Sequence, residues 1–456
     1  MVKKKQISYS KLKNNNFDNI KFKGLKSSSV KEKMLDILQK TSKDESIVYC
    51  PTRYYTEYYA IKISKNNIYE TSENSRLKLF ISHLESNFTR NWCLVKALKN
   101  GIGIHHGTIP KYIQREIIKL FNDKVIKCIF STTTITEGVN TTAKNILIYS
   151  HKKGIKDLKK FDVLNIIGRA GRFYQHFSGR VFIIDEEINS ILDSNDDVLK
   201  HKNYGKETSK SDLDFTITKD EYLSNTQLSR REEIQRDYDL NSIPLKIQLS
   251  FLTILPKEKI KLYKLIKYAM DKFPKHIPDV IKSINSRTVS LDQVELLISL
   301  IHRVIGENDK LYPLTLKRDN SYSILSYQLM KYLIAGYPGL LIFEQSRNVN
   351  IDVAVRKVSN VVYNIFRYEL AKHIGIIDLI YRVIYSYKFN VSEDEVVGFS
   401  SLLSYLEYGT YSEKGRKASD FGVSHNILKF IENKKNNIDE YEKLVYADLS
   451  QIIEEV

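Results

Sequence analysis

Residues 161–172 read Phe-Asp-Val-Leu-Asn-Ile-Ile-Gly-Arg-Ala-Gly-Arg. An apolar run ends in Gly168-Arg169-Ala170-Gly171-Arg172, so two arginines stand three apart, each behind a small residue. Continued as a helix turn, that spacing puts both guanidinium groups on one face. The small neighbours let a bound group approach closely, and a guanidinium is the side chain whose planar fork matches phosphate bidentately. Alone, the stretch is also compatible with a surface turn. Its meaning rests on what precedes it.

Upstream, Ser46-Ile47-Val48-Tyr49 is a short β-branched and aromatic run that ends in Cys50-Pro51-Thr52-Arg53, and the helix-like stretch TEYYAIKIS follows. Gly101-Ile-Gly-Ile-His-His-Gly107-Thr-Ile-Pro110 comes next, then YIQREIIKLF with apolar residues at helical spacing. The strand-like KCIFS opens into Ser131-Thr-Thr-Thr-Ile-Thr-Glu-Gly-Val-Asn140, and the apolar NILIYS lies between that loop and the arginine pair. Strand, loop and helix alternate throughout. This pattern predicts a parallel sheet with crossover helices.

Taken in order, CPTR, GIGIHHGTIP, STTTITEGVN and NIIGRAGR resemble motifs IV, IVa, V and VI of superfamily 2 helicases. GVN and GRAGR within them resemble the Ski-like branch of RNA-processing and DNA-repair helicases. The resemblance spans roughly residues 28–190 and implies the second RecA-like lobe of such an enzyme. It makes Arg169 and Arg172 the catalytic arginines that reach across the interlobe cleft to the γ-phosphate of ATP, held with Mg2+. Gly138, Asn140 and Asn165 would join those arginines in binding nucleotide. Asn165 stands where the family carries glutamine or histidine, which keeps an amide but shortens it. Thr52, Arg53, His106, Gly107, Thr108, Thr132 and Thr133 would contact a nucleic-acid strand.

The residues themselves are consistent with those roles. Thr132 and Thr133 follow a strand end, where ligands sit in open α/β sheets, and their hydroxyls can donate to phosphate. His106-Gly107-Thr108 precedes a helix start that has Pro110 in its first turn, and free N–H groups at such a start attract anions. The paired His105 and His106 invite a zinc reading, yet no further ligand stands at metal spacing, so no metal is expected. Thr52 and Arg53 suit backbone phosphate contacts, which position a strand without reading its sequence. Arg53 is nearly as well explained as a plain solvated charge.

The sequence departs from the family in one respect. No GxxxxGK[ST] phosphate loop occurs, and the nearest string, Gly24-Leu-Lys-Ser-Ser28, lacks the first glycine and a preceding apolar strand. The Walker-B-like Phe182-Ile-Ile-Asp-Glu-Glu187 lies after the arginine motif and reads better as a closing strand with a solvated acidic turn. The resemblance therefore implies the back half of a helicase, whose first lobe lies on another chain or is missing. A non-catalytic nucleic-acid-binding or scaffold subunit, or a truncated gene product, are the other readings. Intact motif VI arginines favour the composite ATPase, because a pure binder has no use for a γ-phosphate sensor.

Composition fits a polyanion partner: Lys+Arg 71 against Asp+Glu 54 gives a formal charge of +17. Part of the lysine is what an AT-rich genome produces. Residues 1–27 hold eight lysines and a single acid, Asp18, and read as a flexible basic arm. The three cysteines, Cys50, Cys93 and Cys128, have no metal spacing and read as small buried hydrophobes. The start MVKKK is followed by no apolar h-region, and the apolar segment around residues 332–343 is broken by Gly336 and Pro338, so a cytoplasmic protein is expected.

Beyond the lobe, residues 191–244 are polar and read as a linker or insertion. Residues 245–456 carry helical stripes, one of Ile351, Ala354, Val355, Val358, Val361, Val362 and Ile365, another of Ile376, Leu379, Ile380, Val383 and Ile384. A winged helix followed by a helical bundle would suit the Ski-like branch. LLSYLEYGT and GVSHNILKFIE resemble a helical-hairpin pattern near the C-termini of some bacterial defence-associated helicases.

Overall fold

The computed structural model describes residues 5–8, 27–69, 73–136, 143–171, 179–194, 210–317, 321–434 and 436–454. Its strands are β1 (Lys5–Ser8), β2 (Ser46–Tyr49), β3 (Ile102–His105), β4 (Cys128–Ser131) and β5 (Asn145–Ile148), then the short pair β6 (Lys152–Lys153) and β7 (Lys156–Asp157), and β8 (Arg180–Ile183). Six of them form one sheet in the order β1-β8-β5-β2-β4-β3, and every pairing in it is parallel. Every residue of β2 to β5 is buried, as it must be where a parallel sheet is covered on both faces.

Crossover helices fill the intervals. Arg53–Ser64, Ser75–Asn87 and Cys93–Leu98 lie between β2 and β3, and Lys111–Asn122 lies between β3 and β4. Gly103 shows why a small residue interrupts β3: a Cβ there would come within 2.8 Å of Ile117 Cγ2, on the helix packed against it. The α/β lobe and the mostly helical region after it are as the sequence predicts.

Three details differ. Lys5–Ser8, inside the stretch read as a free basic arm, adds β1 to the sheet edge in register with Arg180–Ile183. Of the stretch read as a linker, residues 210–244 are folded, and their main element is the Asn225–Leu240 helix. A reciprocal cap between Ser224 and Gln227 starts that helix, while only Ile234 and Tyr238 of it are buried, too few for an apolar stripe to show. Among the described residues after β8 every element is helical, so nothing there forms the strand pair of a winged helix.

The helical region is built around a continuous run from Ile351 to Phe389 that widens to i→i+5 hydrogen bonding over Val361–Leu370. All seven residues of its first stripe are buried. LLSYLEYGT forms the Ser400–Tyr408 helix closed by Gly409 at φ +74, and Ser424 caps the His425–Glu432 helix within GVSHNILKFIE. The Glu413–Asp420 helix separates the two.

This region returns to the lobe at several places. Cys93 N donates to Asp352 Oδ1 at 2.9 Å, and Asn426 Nδ2 donates to Asn87 Oδ1 at 3.3 Å. Arg76 donates to both oxygens of Glu116, at 2.6 and 3.0 Å, and to Asp448 Oδ2 at 3.0 Å. His83 Nδ1 lies 2.6 Å from Asp439 Oδ2, and its Nε2 lies 3.0 Å from the Tyr112 hydroxyl. No helix among the described residues is long and apolar enough to cross a membrane.

Candidate functional site

Parallel register aligns the carboxyl ends of β2, β3 and β4, with Tyr49 and His105 both opposite Ser131. The segments that leave those ends meet around one cleft of about 650 Å3. Thr52 and Arg53 come from β2, Gly107 from β3, and Thr132 and Thr133 from β4. These are five of the seven residues expected to contact a strand, brought together from three separate loops. The fourth wall comes from the helical region: Val353, Arg356, Lys357 and Asn360 of the Ile351–Asn360 helix. No motif pointed to those residues, and only their position in the folded chain does.

Each group is held by local chemistry. Thr52 is extended and caps the Arg53–Ser64 helix, its Oγ1 accepting from Tyr55 N at 3.2 Å. Arg53 is exposed at the mouth, and so is Tyr54, whose ring stacks on that of Tyr58 at 5.9 Å one turn later. Lys62 Nζ stands 5.4 Å over the Tyr58 ring. Thr132 Oγ1 lies 3.1 Å from Thr134 Oγ1, which in turn lies 3.2 Å from His105 Nδ1. Lys357 is half-exposed and only loosely paired with Glu344, at 3.8 Å.

His106 and Thr108 are placed differently from the other five. Both are buried, and they form an internal relay beneath the cleft. His106 Nε2 lies 3.1 Å from Glu57 Oε1, Thr108 Oγ1 lies 3.2 Å from His106 Nδ1, and Arg356 pairs with the other oxygen of Glu57. Burial lowers the His106 pKa against the pull of Glu57, and burial with the neighbouring His106 lowers that of His105 to about 4. A neutral His106 donates from Nε2 to the carboxylate and accepts from the Thr108 hydroxyl. Neither side chain is at the surface; Gly107 alone of the three is exposed. With both ring nitrogens of His106 engaged in this way, neither is available to a metal.

The arginine motif lies elsewhere. The Lys160–Ile167 helix, with Asn165 half-buried on it, ends before Arg169, and Gly171 follows at φ +68. Arg169 therefore sits beyond the helix, and the helical turn that the arginine spacing suggested does not continue through Gly171. The loop is fixed to the segment entering β5: Gly171 N donates to Ala143 O at 2.9 Å, and Ala143 and Ala170 form a parallel bridge. Gly179 packs so tightly on Ala170 and Gly171 that a Cβ has no room there. Arg169 thus stands near the amino end of β5, whereas the cleft opens at the carboxyl ends of its neighbours. Arg172, Gly138 and Asn140 lie outside the described residues.

A nucleoside triphosphate fits this loop only in part. Arg169 is a cation beside a closely packed glycine turn, but among the described residues no group of three His, Cys, Asp or Glu side chains that could hold Mg2+ lies there. The one group of potential metal ligands found among them, His83, Asp439 and Glu442, has ligand atoms within 4.8 Å of one another. Its members are hydrogen-bonded across the contact between lobe and helical region.

A six-stranded parallel sheet flanked by helices, with a polar and basic cleft at its carboxyl edge and an arginine loop toward its amino edge, defines a RecA-like lobe. The helicase conserved C-terminal domain family matches residues 29–174. The chain is thus similar to the C-terminal half of superfamily 2 helicases, with relatives in the Ski-like branch. It is 32% identical over 169 residues to Anti-bacteriophage protein B of Escherichia coli K12, a match covering 37% of this chain and 23% of that protein. It is 25% identical over 235 residues to the human Exosome RNA helicase MTR4, covering 48% of this chain and 21% of the relative. It is 28% identical over 157 residues to the ATP-dependent DNA helicase Hel308 of Pyrococcus horikoshii, covering 32% and 22%. The chain spans less than a quarter of the length of each.

Proposed function

We propose that this chain supplies the strand-contacting surface and the arginine motif of an ATP-dependent nucleic-acid helicase, working with a phosphate-loop lobe that residues 1–456 do not contain. The observation that carries the proposal is the cleft: Thr52, Arg53, Gly107, Thr132 and Thr133 converge with Arg356 and Lys357 on one groove. Hydroxyls, a glycine backbone and cations suit phosphate oxygens and carry no base-edge readout, so a single strand binds with little sequence preference. Tyr54 and Tyr58, exposed beside the groove, offer ring faces on which any base can stack. His106, Thr108 and Glu57 hold Gly107 and Arg356 in place from below.

In this reading Arg169 and Arg172 serve the nucleotide held between this lobe and the phosphate-loop lobe. Bound between lobes with Mg2+, ATP supplies the free energy of phosphoryl transfer. The guanidinium groups of this chain match the charge that spreads over the phosphoryl oxygens, an effect worth roughly 10³–10⁵ in rate in arginine-finger enzymes. Separation of the arginine loop from the strand cleft, at opposite ends of the sheet, lets each be altered without the other. The likeness to a protein named for anti-bacteriophage action extends the proposal to defence against phage.

The test is reconstitution. The chain alone should hydrolyse no ATP, because its sequence holds no phosphate loop. Joined to a phosphate-loop lobe from a related helicase, it should show strand-stimulated hydrolysis that Arg172→Ala abolishes. Arg172→Lys should rescue little, since a point charge lacks the planar fork. Strand binding without nucleotide should persist in both variants. Hydrolysis unchanged in Arg172→Ala would remove the γ-phosphate role and leave a strand-binding scaffold.

A further inference from the structure

A second cavity, of about 870 Å3, opens between the Lys111–Asn122 helix, Arg367 of the i→i+5 segment and the turn from Ser419 to Ser424. It shares no lining residue with the strand cleft. Its charges divide into two groups. At one end Arg76 and Lys119 are neutralised, both donating to Asp448 at 3.0 Å, with Arg76 also bound to Glu116. At the other end stand Lys111, Arg115 and Arg367, and among the described residues none of these three forms an ion pair with a carboxylate. Burial lowers the Lys111 pKa and the charge of Arg367 lowers it further, with Asp420 opposing; burial lowers that of Arg115.

The three cations are arranged rather than scattered. Lys111 Nζ stands 5.9 Å over the Tyr363 ring, and the Arg115 guanidinium stands 5.9 Å over the Phe421 ring. Gly422, at φ +68, lets the turn lie against Arg115, where a Cβ would come within 3.0 Å of Cδ. Partly buried cations that form no direct ion pair raise the energy of the empty site, with Asp420 offsetting this only in part at Lys111, and a bound anion relieves it.

We propose that this cavity binds the phosphate of a nucleotide, with Lys111, Arg115 and Arg367 on its oxygens and Phe421 and Val423 against the sugar and base. Its volume lies within the ~300–1,000 Å3 of small-molecule sites and suits one nucleotide rather than a duplex. A free nucleotide and the phosphorylated end of a strand present the same chemistry. The site is independent of the strand cleft and of the arginine motif.

The experiment is titration of the full chain with AMP, and with a short oligothymidine carrying either a 5′-phosphate or a 5′-hydroxyl. Arg115→Ala and Arg367→Ala should each weaken the phosphate-bearing probe about tenfold, the loss expected for one charge-assisted hydrogen bond. Asp420→Asn, which removes the carboxylate opposing Lys111, should tighten it, so a variant that misfolds does not decide the matter. AMP binding would identify a free nucleotide as the ligand. A preference for 5′-phosphate over 5′-hydroxyl, lost in Arg115→Ala, would identify a strand end. Affinity for both probes unchanged across the three variants overturns the site, and it does so whether or not Arg53→Ala weakens strand binding in the cleft.

Discussion

Glu57 and Arg356, 299 residues apart in the chain, form an ion pair that joins the RecA-like lobe to the helical region beneath the cleft. The same carboxylate accepts from His106, so one acid holds both the β3 loop and the wall opposite it. The cleft is therefore a product of docking between the two regions.

Removing that acid should loosen the whole arrangement. Glu57→Ala leaves a buried imidazole N–H and a guanidinium without their acceptor, and should cost about 2–3 kcal/mol. Arg356→Ala should cost less, because its side chain remains 23% exposed and water can serve the pair. Chemical denaturation of the two variants checks the order.

Strand binding should separate surface contacts from the relay beneath them. Arg53→Ala and Lys357→Ala should weaken single-strand binding by a similar factor for every sequence, and each should reduce the salt slope by about one. His106→Ala should instead lower thermal stability and strand affinity together. Anisotropy titrations at several salt concentrations, with melting curves, distinguish the two behaviours. Equal salt slopes for wild type and Arg53→Ala would leave Arg53 as a plain solvated charge.

Acid should weaken the fold through its buried histidines. His105 titrates at about 4 and His425 at about 3 in the folded chain, both lowered by burial. Unfolded histidine titrates near ~6.5, so below that pH the unfolded chain binds more protons and stability falls. The loss should begin near pH 6.5, approach about 1.4 kcal/mol per pH unit for each histidine, and level off for His105 below its folded value. His105→Asn should flatten the unfolding free energy against pH between about 6.5 and 4.

Gly336 should tolerate no side chain. It sits at φ 62 and ψ −149 at the kink that divides Ile324–Gln345 into two helical pieces, and the ring of His425 occupies the space where a Cβ would go. Gly336→Ala meets both backbone strain and a clash, and should destabilise by at least ~2 kcal/mol. Adding His425→Ala removes the clash and leaves the strain, so the double variant should recover part of the loss in thermal unfolding.

The sequence determined the lobe and the order of its parts. β2 to β5 are short apolar runs ended by Pro51-Thr52, His106-Gly107, Thr132-Thr133 and the hairpin after Ser150, and such local signals survive without tertiary context. Because parallel strands place the loops after their carboxyl ends on one edge, naming Thr52, Arg53, Gly107, Thr132 and Thr133 from separate motifs amounted to naming one cleft. Only the tertiary structure decided the rest. The polar Asn225–Leu240 helix carries too few buried residues to show a stripe, and β1 is four residues whose pairing with β8 no local pattern records. His106 and Thr108 read as surface donors by position, yet both are buried, His106 turned onto Glu57 and Thr108 onto His106. Arg356 and Lys357, like Lys111, Arg115 and Arg367, are ordinary basic residues on helices until long-range packing sets them around a cavity. That grouping depends on contacts between segments hundreds of residues apart, and no periodicity within a single segment encodes it.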